Sequence, residues 1–284
     1  MSTAFELLFI VVPALLYARG YRALRERTRV NHGVSRARAT VFAAGLAVLA
    51  VALLSPLDRI AEDLFSAHMV QHLLLMLGAA PLCVLGAPLL PMLWAFPLSR
   101  RRAAAMWWRR SSFTRGVVHG ATNPAVVFIA QMVALWFWHF PRPYQAAIEH
   151  DWIHALEHIS FLGTASLFWW VVFQPIGRRR ASEGATILML GGTLLQSGAL
   201  GAVLMFAKSP WYPILAAGAS RWGTTLLEDQ QLAGLLMWIP ASAVYVAATA
   251  WVFVRWMRLD ERRPSPEHAP VRVSRPTSTV GGAI

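Results

Sequence analysis

Charge is scarce in this chain, and most of it has one sign. Of 284 residues only 14% are charged, with 26 Lys and Arg against 14 Asp and Glu, for a formal charge of +12. A soluble domain carries about 25% charged residues, so the shortage argues against one. Hydrophobic residues make up 56% of the chain, and the mean hydropathy is +0.47. Cysteine is nearly absent. The single Cys83 excludes a disulfide framework within the chain and any thiolate metal motif. Inside an apolar run, it reads as a small buried hydrophobe. A basic segment before the apolar stretch 5–18 is missing too, and arginines follow it. That stretch therefore reads as a first span with its N-terminus outside, not as a cleaved signal. Neither an internal repeat nor a second domain is visible.

What the chain does have is apolar length. A bilayer core takes about 20 helical residues. Seven runs approach that length, at 4–18, 39–57, 67–85, 121–139, 153–174, 185–207 and 232–256. The expected fold is an all-α integral membrane protein, a bundle of about seven transmembrane helices forming one domain over 1–258. The first run is short. After the third, the apolar stretch through Gly86, Pro88, Pro91 and Phe96 reads equally as a kinked extension or a half-buried segment. The tail 259–284, rich in Pro, Ser, Thr and Arg, is expected to be disordered. Small residues in the sixth run (Gly191, Gly192, Ser197, Gly198 and Gly201) suit close helix packing.

The few charges are sorted by side. Segments 19–38, 98–120, 175–184 and the tail from 255 hold 22 of the 26 Lys and Arg, while 58–66, 140–152 and 208–231 hold four. Short arginine-rich loops mark the cytoplasmic face. The N-terminus is then outside and the C-terminus cytoplasmic. The arginines act as topology signals, so no nucleic-acid partner is inferred. The outer segments are acidic instead, with Asp58, Glu62, Asp63, Glu149, Asp151, Glu228 and Asp229.

Histidine gathers on that acidic side. His68 and His72 are four apart at the outer end of the third run, and His154 and His158 repeat the spacing in the fifth. Each pair shares a helix face. His139 closes the fourth run, and His150 sits one turn above His154. Glu157 falls inside an apolar run, where an ionisable group usually pairs or binds something. A lone interfacial histidine is more often structural, and His32, His119 and His268 fit that description. Six at one depth point to a metal or haem site instead, since imidazole suits copper, zinc, iron and haem. Met69 and Met76 flank the first pair and Met132 lies below His139. A thioether beside imidazole favours Cu(I), although methionine fills cores everywhere. Asp229, Gln230 and Gln231 open the seventh run, where they serve either as helix caps or as outer partners of the site.

The blocks SAHMVQHLLLM (66–76), LGAPLLP (85–91), WHFPRPYQAAIEHDWIHALEHISFL (138–162), FWW (168–170) and DQQLAGLLMWIP (229–240) resemble the polytopic CtaG family of cytochrome c oxidase assembly factors, the kind linked to caa-type oxidases. The resemblance runs from about 45 to 256. It implies a bacterial inner-membrane protein that helps mature a haem-copper oxidase and is not itself an enzyme. Copper, as Cu(I), is the implied ion, received from a periplasmic donor and passed to an oxidase subunit. The family pattern carries over His68 and His72 from HMVQH, His139 from WHFP, His154 and His158 from HALEH, and Asp229 and Gln230 from DQQ. His150, Met69, Met76 and Glu157 are further candidates. The rival readings are a haem-binding electron-transfer subunit, a di-iron membrane oxygenase and a scaffold that binds no metal.

Overall fold

The computed structural model describes residues 3–27, 34–173 and 182–261, and among these every regular element is helical. His32, His268, the loop arginines Arg178, Arg179 and Arg180, and 262–284 of the expected tail lie outside the described residues.

The chain starts with α1 (Thr3–Arg27) and α2 (Arg36–Leu54). Helix α1 outruns the expected 4–18 because arginine is a good helix former, so the helix continues past its apolar stretch. Ser35 caps α2, its hydroxyl accepting from Arg38 N at 3.2 Å. Ser55 ends α2 and caps α3 (Pro56–Asp63), accepting from Leu57 N at 3.1 Å. The third span is composite: α4 (Phe65–Leu73), a π-helical turn (Leu74–Ala79) and α5 (Ala80–Leu85).

Helix α6 (Leu89–Trp94) resolves the stretch after the third run as a short segment folded against the bundle. A Cβ on Gly20 of α1 would fall 1.6 Å from the Pro91 carbonyl oxygen, and the Tyr17 hydroxyl donates to Gly86 O at 3.0 Å. Helices α7 (Leu98–Arg110) and α8 (Ser112–Ala121) bury no residue. With five arginines and the exposed Trp107 and Trp108, α7 suits the membrane interface.

The expected fourth span, 121–139, forms one helix starting three residues later, and a break precedes it. Helix α9 (Pro124–His139) bends 63° from α8, because Asn123 caps it and Pro124 opens it. Helix α10 (Pro141–Glu149) then leads into α11 (Asp151–Phe173), α12 (Glu183–Met205), α13 (Ala216–Arg221) and α14 (Leu226–Glu261). Helix α14 runs past 258, so residues 259–261 are ordered helix rather than tail. Among the described residues six helical segments, the composite third one included, are long and apolar enough to span a bilayer, or up to seven if α8 and α9 count as one. Leu188 and Leu195 on α12 are 78% and 75% exposed, as a lipid-facing stripe requires.

Helices α12 and α14 meet at their glycines. A Cβ on Gly201 would lie 2.8 Å from Gly234 O, and one on Gly234 would lie 2.6 Å from Gly201 O. Gly191, from the same small-residue series, has nothing within 4 Å of such an atom and plays no part in this contact. At the far end, Arg255 of α14 pairs with Glu183 and donates to the Val172 carbonyl at 3.1 Å, tying α14 to α12 and α11.

Asp229 has an unexpected role. It caps α4 rather than its own helix: Oδ2 accepts from Phe65 N at 2.7 Å and Oδ1 from Ser66 N at 3.2 Å. A carboxylate at that end is favoured by the helix dipole. Three other acids at this end of the bundle are also engaged. Asp58 accepts from Gln71 at 2.8 Å, Asp63 binds Arg221 and Trp222, and Glu228 forms a capping box with Thr225.

Two outcomes follow. Gly201→Val destabilises the detergent-solubilised protein by at least about 1–3 kcal/mol, while Gly191→Ala leaves its melting temperature unchanged; equal melting of both variants contradicts the crossing. Asp229→Ala strands two buried N–H groups at a cost of about 1–3 kcal/mol, and Asp229→Asn recovers part of it. Calorimetry showing no loss in the alanine variant contradicts the cap.

Candidate metal centre

Helices α4 and α11 carry their i, i+4 histidine pairs side by side. His68 stacks on His154 with ring centroids 5.3 Å apart, and His72 faces His158 at 5.5 Å. Within each helix the rings are 4.3 and 4.2 Å apart. The pairs therefore run in the same order, as two rungs of one ladder. Glu157 enters between the rungs. Its Oε2 lies 3.5 Å from His68 Nε2 and its Oε1 lies 3.7 Å from His72 Nε2. His68 and Glu157 are fully buried, and His72, His154 and His158 are at most 6% exposed.

The decisive feature is what these groups lack. Nine of their nitrogen and oxygen atoms are buried without a hydrogen-bond partner: both ring nitrogens of His68, His72 and His158, Nε2 of His154 and both oxygens of Glu157. Buried polar groups are nearly always paired, and each unpaired one costs about 1–3 kcal/mol. One donor atom from each of His68, His154 and Glu157 lies within 4.8 Å of the other two. Imidazole nitrogens and a carboxylate suit a transition-metal ion, so the donor set fits such an occupant.

Tyr144 of α10, which the sequence did not single out, closes the cluster from above. It is fully buried, 5.2 Å from the His68 ring, and its hydroxyl has no partner. Burial, with the Glu157 charge nearby, pushes its pKa well above the usual value. It stays an O–H donor facing the cluster.

The other candidates divide. His150 is exposed and contributes its backbone, its carbonyl accepting from Ile153 N and His154 N; its ring does not join the cluster. His139 is buried but sits apart, with Nδ1 2.6 Å from Leu135 O and Nε2 3.2 Å from Met69 Sδ. Met69 and Met76 line a cavity with His72 and His139; Met132 does not. Gln230 holds the segment above the site: Oε1 accepts from Trp211 N at 2.7 Å. The neighbouring Tyr212 donates to His139 O at 2.7 Å and packs on Phe65 and Tyr144. Asp229 and Gln230 thus position α4 and this cover. Cys83 is half-buried beside Gly45, far from the expected ligands in sequence and not among the cavity residues.

The π-helical turn at Leu74–Ala79 directly follows His72. It presents the Met76 carbonyl to Trp169 Nε1, which donates at 2.8 Å. Such turns are frequent at functional sites. The sequence offers no periodic signal for one extra residue in a uniformly apolar run.

The chain is 25% identical over 262 residues to uncharacterised proteins of Mycobacterium bovis and Mycobacterium tuberculosis, covering 90% of this chain and 39% of each relative. A Mycobacterium leprae protein is 23% identical over 261 residues, covering 89% of the chain and 38% of the relative. The chain thus spans about two fifths of the length of these curated relatives. No solved structure matches it. The sequence model of the cytochrome c oxidase caa3 assembly factor family (Caa3_CtaG) matches residues 15–259, nearly the whole of the described bundle, and the chain belongs to that family.

Proposed function

We propose that this multi-pass membrane protein binds copper in the His68–His72–His154–Glu157–His158 cluster and delivers it to a nascent haem-copper oxidase subunit. The observation that carries this reading is the set of nine unpartnered donor atoms in one buried cluster. Burying them bare in a membrane protein is costly, and an ion relieves that cost. The family supplies the setting, oxidase assembly. The chemistry needs no bond-making step: the ion leaves by ligand exchange, one imidazole at a time.

The cytoplasmic membrane of a bacterium, with the cluster on the outer face, is the location that the arginine distribution supports. A periplasmic copper donor and the oxidase subunit then meet the cluster from the same side. A haem reading is disfavoured by space. The cavity beside the histidines has a volume of about 30 Å³, far too small for a porphyrin.

Purified protein loaded with copper is expected to retain about one ion per chain in the cluster. His68→Ala and Glu157→Gln each lower affinity at least about tenfold, as loss of a ligand or of its immediate partner typically does. Equal copper content in wild type and both variants, by elemental analysis, refutes the site. A C-terminal tag is expected to resist external protease in intact spheroplasts; its digestion refutes the orientation.

A further inference from the structure

We propose a second, softer metal station adjoining the histidine–glutamate cluster, formed by His139, Met69 and Met76 with Met237 lining the same cavity, and selective for Cu(I). It deepens the copper-handling reading and rests on it only for the direction of transfer.

The case begins with the tautomer of His139. Its Nδ1 lies 2.6 Å from the Leu135 carbonyl oxygen. A carbonyl only accepts, so the ring proton sits on Nδ1 and Nε2 carries a bare lone pair. This carbonyl-oriented imidazole is how metal-binding histidines are usually held. What Nε2 faces is not a donor. Its neighbour at 3.2 Å is Met69 Sδ, a second lone-pair atom. Two lone pairs turned on each other gain nothing without a cation between them. Protonating the ring as well would place a charge on a side chain only 3% exposed inside an apolar bundle, which is expensive.

The remaining geometry suits a soft ion. The tetrahedral bond lengths of zinc sites, about 2.0 Å to nitrogen and 2.3 Å to sulfur, put two donors about 3.5 Å apart, so on that scale Met69 and His139 need open by only a few tenths of an ångström. Met69, Met76 and Met237 all line the adjoining cavity of about 30 Å³, room for an ion. They are 1%, 7% and 6% exposed. Thioether and imidazole donors with no carboxylate select Cu(I) over harder ions. The upper cluster differs, because Glu157 gives it an oxygen donor suited to divalent ions.

His72 joins the two stations. It lines the cavity with the methionines, and its Nε2 lies 3.7 Å from Glu157 Oε1. Cu(I) exchanging ligands can therefore pass between the sulfur station and the imidazoles of the cluster without a change of oxidation state and without leaving protein donors.

The test uses the full chain in detergent with Cu(I) under anaerobic conditions, competed against a chromophoric Cu(I) chelator, and with Zn(II) in parallel. Met69→Leu/Met76→Leu keeps the volume of the core. It is expected to weaken Cu(I) binding at least about tenfold, leave Zn(II) binding unchanged and remove sulfur scattering at the copper absorption edge. Glu157→Gln is expected to do the reverse, losing Zn(II) while Cu(I) keeps its sulfur ligand. Unchanged Cu(I) binding in the double-leucine variant, or a sulfur-free edge spectrum in wild type, overturns the second station. Simultaneous loss of both ions in that variant overturns it too, as one shared site. Zn(II) binding unaffected by Glu157→Gln, with the methionine result intact, would instead refute the upper cluster and leave the soft station standing.

Discussion

Buried polar atoms without partners set the terms for this whole molecule. In water a histidine or glutamate can always find a hydrogen bond; inside an apolar bundle it cannot. Here four imidazoles and a carboxylate lie together with nine unpartnered atoms, where buried polar groups are nearly always paired. Their neighbours serve to keep those donors converged. Asp229 fixes the start of α4 from 164 positions away. Tyr144 packs against the His68 ring, and Phe65 and Tyr212 pack against Tyr144. Below, the π-helical turn hands the Met76 carbonyl to Trp169 and so locks the end of the ladder.

The same constraint separates two kinds of polar residue at this end of the bundle. Asp58, Asp63, Glu228 and Asp229 have their oxygens taken by backbone or side-chain donors, so they shape the fold. Glu157 does not, and it is the carboxylate that sits among the histidines. The sulfur-lined cavity on the other side of His72 extends the donors in a chemically distinct direction.

Much of this was legible in the sequence, because membrane helices announce themselves by length and histidine pairs by their spacing. The spans at 153–174 and 185–207 differ from α11 and α12 by only one or two residues at each end. His68, His72, His154 and His158 assemble as the i, i+4 pattern implies. What the sequence hid depends on contacts between distant segments. The cap of α4 by Asp229 reads locally as a cap of α14. His150 and His154 share a spacing with His154 and His158, yet His150 ends α10 and faces solvent. The short span 4–18 was underestimated because helical arginines extend α1 beyond its apolar part. Tyr144 carried no pattern at all; only the fold brings it to His68.

The most direct measurement is an anomalous difference map, collected at the copper edge, of crystals of the copper-loaded protein. A strong peak between His68 Nε2, His154 and Glu157 is the predicted result, with those side chains moved little from their present 4.8 Å grouping. An ordered cluster with no peak, whatever copper is found at the methionines, would contradict the claim that the unpartnered donors exist to hold it.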